Sequence, residues 1–148
     1  MPRALIAVGV SLVVAFAVLA LVVFATRDED RVAVDNLLAL ELTRAIGEGE
    51  GGAVDLRRLA DFRWDRVLVV APGTAREAVS EELGSPYMGD LPYGSTGQVF
   101  VFADGAALAR FADYRGRATF NGFERPLDSL PRERAVLRVR AGVVSPQS

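Results

Sequence analysis

Asp65-Arg-Val-Leu-Val-Val-Ala71, stopped by Pro72-Gly73 and followed by Thr74-Ala-Arg-Glu-Ala-Val-Ser-Glu-Glu-Leu-Gly84, is the stretch from which the fold of this chain is read. Val67, Leu68, Val69 and Val70 form a short apolar run of β-branched type, the mark of a buried strand. Thr74 and Glu77 have the spacing of a capping box, Ala75, Val79 and Leu83 share one helical face, and Gly84 suits the helix end. The pattern predicts a buried strand and then a short helix.

Working outward, Gln98–Ala103 repeats the strand signal with Val-Phe-Val-Phe at its centre. Asp104-Gly105 is a hairpin turn leading into Ala106–Phe111. Residues 113–131 read as irregular. In Glu133–Arg140, Ala135, Leu137 and Val139 alternate with Arg134, Arg138 and Arg140, as in a half-exposed edge strand. Residues 143–148 are expected to fray. Residues 53–59 fit an edge strand or a short helix, and the sequence leaves both open. The fold class is α+β: a small, mostly antiparallel sheet of about four strands with one helix on one face.

The two central strands are apolar on both faces, while the helix after Thr74 covers only one. Something must cover the other. Val34, Leu37, Leu38, Leu42, Ala45 and Ile46 recur at helical spacing, so a helix over this region is the nearest cover. A second copy of the chain or another membrane protein is the alternative. Gly47-Glu-Gly-Glu-Gly-Gly52 breaks that helix and reads as a linker, residues 48–52, ahead of a domain at 53–142.

Residues 4–25 contain no charge, Pro, Asn or Gln, and in a helix they extend roughly 30 Å, enough to cross a bilayer. Residues 1–26 are therefore expected to be a signal-anchor helix, continuing through Asp35 into a stalk or docking helix at 27–47. Arg3 precedes the span, which favours a single pass with the N-terminus inside and the C-terminal domain outside the cell membrane. The competing reading is secretion after cleavage near Ala25. Ala7, Ser11 and Ala15 give the span a small-residue face that permits self-association.

The chain has 148 residues with neither His nor Cys, and all seventeen basic residues are Arg. This removes imidazole and thiolate nucleophiles, zinc sites built on thiolate or imidazole, Schiff-base lysines and the P-loop lysine. No catalytic residue, metal ligand or cofactor is expected. The acidic balance disfavours nucleic acid. The loop 85–97, rich in Tyr, Pro and Gly, is the candidate binding element, with Tyr87, Asp90 and Tyr93 as ligand-binding residues and Trp64 at the start of the first strand as a fourth. The plainer alternative has both tyrosines packing over the sheet edge.

Phe62-Arg-Trp-Asp-Arg-Val-Leu-Val-Val-Ala-Pro72, the helix ending in Leu83-Gly84 and the later Val-Phe-Val-Phe strand together resemble small uncharacterised bacterial envelope proteins. In these a Trp-Asp pair opens a hydrophobic strand ending in Pro. The likeness covers roughly residues 55–115 and implies a surface-anchored domain without assigned activity. Relatives often carry Pro-Tyr where this chain has Pro72-Gly73, and some are lipoproteins, for which this chain lacks the cysteine. The expected function is a membrane-anchored extracytoplasmic binding module that contacts the bilayer through residues 4–25 and meets another envelope protein. An accessory subunit of a membrane complex is one alternative. A carboxylate-dependent hydrolase or divalent-cation domain using Asp61, Asp65 and Asp90 is another.

Overall fold

Alternation along two apolar strands builds two cores at once. On β2 (Arg66–Val70), Val67 and Val69 face one cluster and Leu68 and Val70 the other; on β3 (Val99–Asp104), Phe100 and Phe102 oppose Val99, Val101 and Ala103. This is the period-two geometry of a strand buried on both faces. The computed structural model describes residues 34–87 and 97–147. The span 4–25 lies outside them, and among the described residues no helix is long and apolar enough to cross a membrane.

The remaining elements are α1 (Asn36–Glu48), β1 (Ala53–Asp55), α2 (Leu56–Leu59), α3 (Arg76–Leu83), β4 (Ala107–Asp113), β5 (Thr119–Phe120), β6 (Leu127–Pro131), β7 (Val136–Arg140) and β8 (Val143–Pro146). They form an α+β fold with two four-stranded sheets, ordered β4-β3-β2-β6 and β1-β7-β8-β5. The first is antiparallel throughout, whereas β5 pairs with β8 in parallel. The expectation of one sheet of about four strands holds for β2, β3 and β4 of the first sheet; its fourth member is β6, from the span read as irregular, and β7, expected beside them, belongs to the second sheet.

α3 covers one face of the first sheet through Val79 and Leu83, with Tyr87 just beyond the helix. The opposite face meets both the second sheet, through Val54, Leu137, Val139 and Val144, and α1, through Leu38, Ala39, Leu42 and Ile46. The second cover required by two-sided apolar strands is thus supplied largely by the chain's own second sheet, with α1 beside it.

Several local expectations are corrected. No helix passes through Asp35: this residue has extended backbone (φ −77°, ψ 95°), and its carboxylate accepts the Leu38 N–H at 3.0 Å, so α1 starts at Asn36. Helix N-caps of this kind contribute about 1 kcal/mol. Replacing Asp35 by Ala is therefore expected to lower the domain's thermal midpoint by several degrees, which a melting curve checks. Thr74 does not cap α3. Its hydroxyl donates to the carbonyls of Ala71 (2.6 Å) and Pro126 (2.9 Å), and Ala75 occupies the cap position without a side-chain bond.

Residues 48–52 are no free linker. The Gly51 N–H donates to the Val139 carbonyl (2.9 Å), the Val139 N–H to that of Gly52 (3.0 Å), and the Glu50 carboxylate accepts the N–H groups of Ala141 and Gly142 in the β7–β8 turn. Gly49 is needed for close approach, because a Cβ there would lie 2.8 Å from both the Ala45 carbonyl oxygen and Val54 Cγ2. Residues 53–59 are strand and then helix, with Asp55 capping α2 by accepting the Arg57 N–H at 3.0 Å. The span 113–131 contains β5 and β6, and the tail expected to fray is β8, with Val144 fully buried. β7 shows the expected alternation but lies inside its sheet between β1 and β8.

Candidate functional site

Two of the four residues expected to touch a ligand are core residues. Trp64 and Tyr87 are each 2% exposed. The Trp64 indole donates to the Ala60 carbonyl (3.1 Å), its ring meets Phe102 edge-on (5.1 Å), and Arg132 lies over it. Tyr87 packs edge-on against Phe111 of the edge strand β4 at 6.0 Å, the half of the plainer reading that concerns this residue. Burial puts both rings to structural use. Asp90 and Tyr93 fall outside the described residues.

The carboxylates considered for catalysis or cation binding separate in the same way. Asp65 Oδ2 accepts the Gly105 N–H at 2.7 Å, and Arg66 donates to the Gly105 carbonyl (2.7 Å) and to the last carbonyls of α3. Together they clasp the β3–β4 turn and the end of α3, which is structural work. Asp61 lies on a different surface, described below. Among the described residues no group of three or more acidic side chains gathers as a metal site.

What the fold does present is a groove of about 460 Å³ between α1, α2 and β4. Leu37, Leu38, Leu59 and Phe62 line it with apolar surface, and Asp35, Glu41, Arg58, Asp61 and Arg110 supply charges of both signs. Arg110 connects the parts: its guanidinium lies 4.7 Å from the Phe62 ring centroid and its Nη1 donates to Asp35 Oδ2 at 2.8 Å. Phe62 in turn meets Phe102 edge-on at 5.4 Å, so the groove is continuous with the core.

Leu37 is 76% exposed and Leu40 55%, both on the outer side of α1. The sequence reading placed Leu37 on the buried stripe. The structure buries Leu38, Ala39, Leu42 and Ile46 instead. Helical geometry held the signal, since Leu37 lies roughly 100° from Leu38 on the side away from Ala39. Phe62 and Arg110, far apart in sequence, gave no local sign of their meeting.

Burial works to raise the Asp35 carboxyl, but the Leu38 N–H and the bonded, charged Arg110 outweigh it and hold the group below its ordinary value. A depressed folded-state value means that this contribution is complete above the unfolded carboxylate's pKa, about 3.9, and is lost as pH falls through the lower folded value. Asn also caps helices but carries no charge. The stability advantage of wild type over Asp35→Asn is therefore expected near pH 7 and expected to shrink as the pH falls below about 4 in paired melting curves.

Another enclosed space, of about 50 Å³, is lined by Gln98, Phe120, Asn121 and Phe123 among others. Gln98 is 8% exposed and its Oε1 has no protein partner among the described residues. The volume is that of one or two water molecules, too small for an organic ligand.

Compared with known proteins, the chain matches no family model, no curated protein and no solved structure.

Proposed function

We propose that this chain is a single-pass, membrane-anchored interaction module whose α+β domain lies outside the cell membrane and holds a partner envelope protein in the α1–α2 groove. The observation that carries the reading is the exposure of Leu37 and Leu40 beside a groove that mixes Leu37, Leu38, Leu59 and Phe62 with charged side chains of both signs. Exposed large apolar side chains next to a depression of this kind mark protein contacts, where a few buried anchors dominate the binding energy and rim charges set orientation. The apolar segment 4–25, long enough as a helix to cross a bilayer, supports the address.

The occupant that suits the groove is an amphipathic helix or loop placing one or two aliphatic side chains between Leu37 and Phe62. Its flanking charges would meet Glu41 and Asp61 on one hand and Arg58 on the other.

The test is crosslinking in intact cells with the full chain, comparing wild type with Leu37→Glu/Leu40→Glu. The double variant is expected to lose its crosslinked partners while melting as wild type does, because both side chains are exposed. An unchanged partner set would overturn the groove. Loss only on replacing loop 85–97 by a Gly/Ser linker would move the contact to that loop. A topology reporter fused after Ser148 is expected to be active only outside, and activity inside would overturn the address.

A further inference from the structure

A sheet ends where its last strand leaves backbone groups without a neighbour, and the two sheets treat their four edges differently. β1 and β5 are only three and two residues long. β4 is partly closed, since the Asp35 N–H at the start of α1 donates to the Phe111 carbonyl at 2.9 Å. β6 is a five-residue edge, and among the described residues β2 is its only strand partner.

The register fixes which of its groups point outward. The Arg132 N–H donates to the Asp65 carbonyl (2.8 Å) and the Ala71 N–H to the Pro126 carbonyl (2.9 Å), while between them Arg66 pairs with Pro131 and Val70 with Leu127. In an antiparallel ladder the bonded positions alternate, so Pro126, Asp128, Leu130 and Arg132 bond inward to β2. Leu127 and Ser129 therefore turn both N–H and C=O outward, and Pro131 turns out a carbonyl alone. These groups are spaced to receive one more strand.

A groove of about 490 Å³ runs along this edge, between Glu82 on the α3 side and Arg134, Pro146 and Gln147 on the side of the second sheet. Its charged lining is Glu82, Glu124 and Asp128 against Arg134. Three carboxylates against one guanidinium favour a cationic visitor. They also reject a second copy of β6, because self-pairing would face these acids with themselves and bring in Pro131, which cannot donate. The Asp35 N–H bonds the Phe111 carbonyl, Tyr87 packs edge-on against the Phe111 ring, and Gly97 lies against the Tyr114 carbonyl, all toward the β4 end of the sheet. Three strand spacings, about 14 Å, separate that end from β6.

We propose that the outer edge of β6 takes an extended, arginine- or lysine-bearing segment of a partner protein as a fifth strand on the β4-β3-β2-β6 sheet. Backbone bonds to Leu127 and Ser129 supply the affinity, and the carboxylates select the charge. This surface is separate from the α1–α2 groove and stands without it.

The probe is a capped ten-residue peptide alternating Arg and Val, added to the detergent-solubilised full chain. Binding is read by fluorescence anisotropy and by amide hydrogen exchange at Leu127 and Ser129. The peptide is expected to bind and to slow exchange at both amides. A Glu/Val peptide, and an Arg/Val peptide whose bonding amides are N-methylated, are expected to bind at least about tenfold more weakly. Ser129→Pro removes an outward N–H without touching the ladder to β2, and it is expected to melt near wild type and lose the peptide. Should that variant unfold, the N-methylated peptide asks the same question from the ligand's side. Equal binding of the methylated peptide would show attraction by charge alone and overturn strand addition. Failure of the Arg/Val peptide to bind, or binding without protection of the two amides, would overturn it as well.

Discussion

Residues 53–142 alone are expected to be unfolded in water, whereas residues 34–147 melt cooperatively. The shorter chain is the domain that the glycine run at 47–52 marks off in the sequence, yet it lacks α1 and β8. α1 places Leu38, Leu42 and Ile46 in the shared core, each 5% exposed or less. Burying three such side chains is worth roughly 5–9 kcal/mol in transfer free energy, comparable to the whole stability of an ordinary domain at about 5–15 kcal/mol. β8 adds the ladder partner of β7 and buries Val144. Without it β5 also loses its pairing with β8. Circular dichroism and a urea titration of both chains check the result: a cooperative transition for residues 53–142 would show that α1 and β8 are accessories.

Phe102→Ala is the single substitution expected to do most damage. Phe102 is 1% exposed, lies in the middle of β3 and meets both Phe62 (5.4 Å) and Trp64 (5.1 Å) edge-on. Truncating a buried aromatic of this kind removes its transfer energy and leaves a cavity, together about 3–5 kcal/mol. The thermal midpoint is expected to fall by on the order of 10–20 °C. Because Phe62 lines the α1–α2 groove and rests against Phe102, the groove should loosen as well. Phe62→Ala removes a half-buried ring that also faces Arg110, and a smaller loss of roughly 1–3 kcal/mol is expected. Equal losses for the two would mean that the groove wall, and not the strand centre, anchors this aromatic group.

The candidate site was only partly legible in the sequence. Aromatic rings in loops and at strand ends often bind, which makes Trp64 and Tyr87 candidates on sequence, but the same rings serve equally well as core. Their burial depends on Phe102 and Phe111, which lie far along the chain. Leu37 was assigned to the wrong side of α1, although its angular position held the correction. Arg110 and Phe62 meet only because β4 passes beneath the start of α1.

Local chemistry by itself determined the central strands, the helix after Pro72-Gly73, the turn at Asp104-Gly105 and the in-out alternation of β7. Each is fixed by residues within a few positions of one another, through side-chain period, turn propensity and a glycine suited to positive φ. It also dictated that the first sheet needed a second cover. Tertiary structure decided what that cover is. β1, β5 and β8 are two to four residues long, too short to carry a period, and β6 contains Asp, Ser and Pro, which mask its strand character. Their pairing is non-local: β1 finds β7 some eighty residues on. A short strand has no stability apart from its partner, so its place is set by the packed whole.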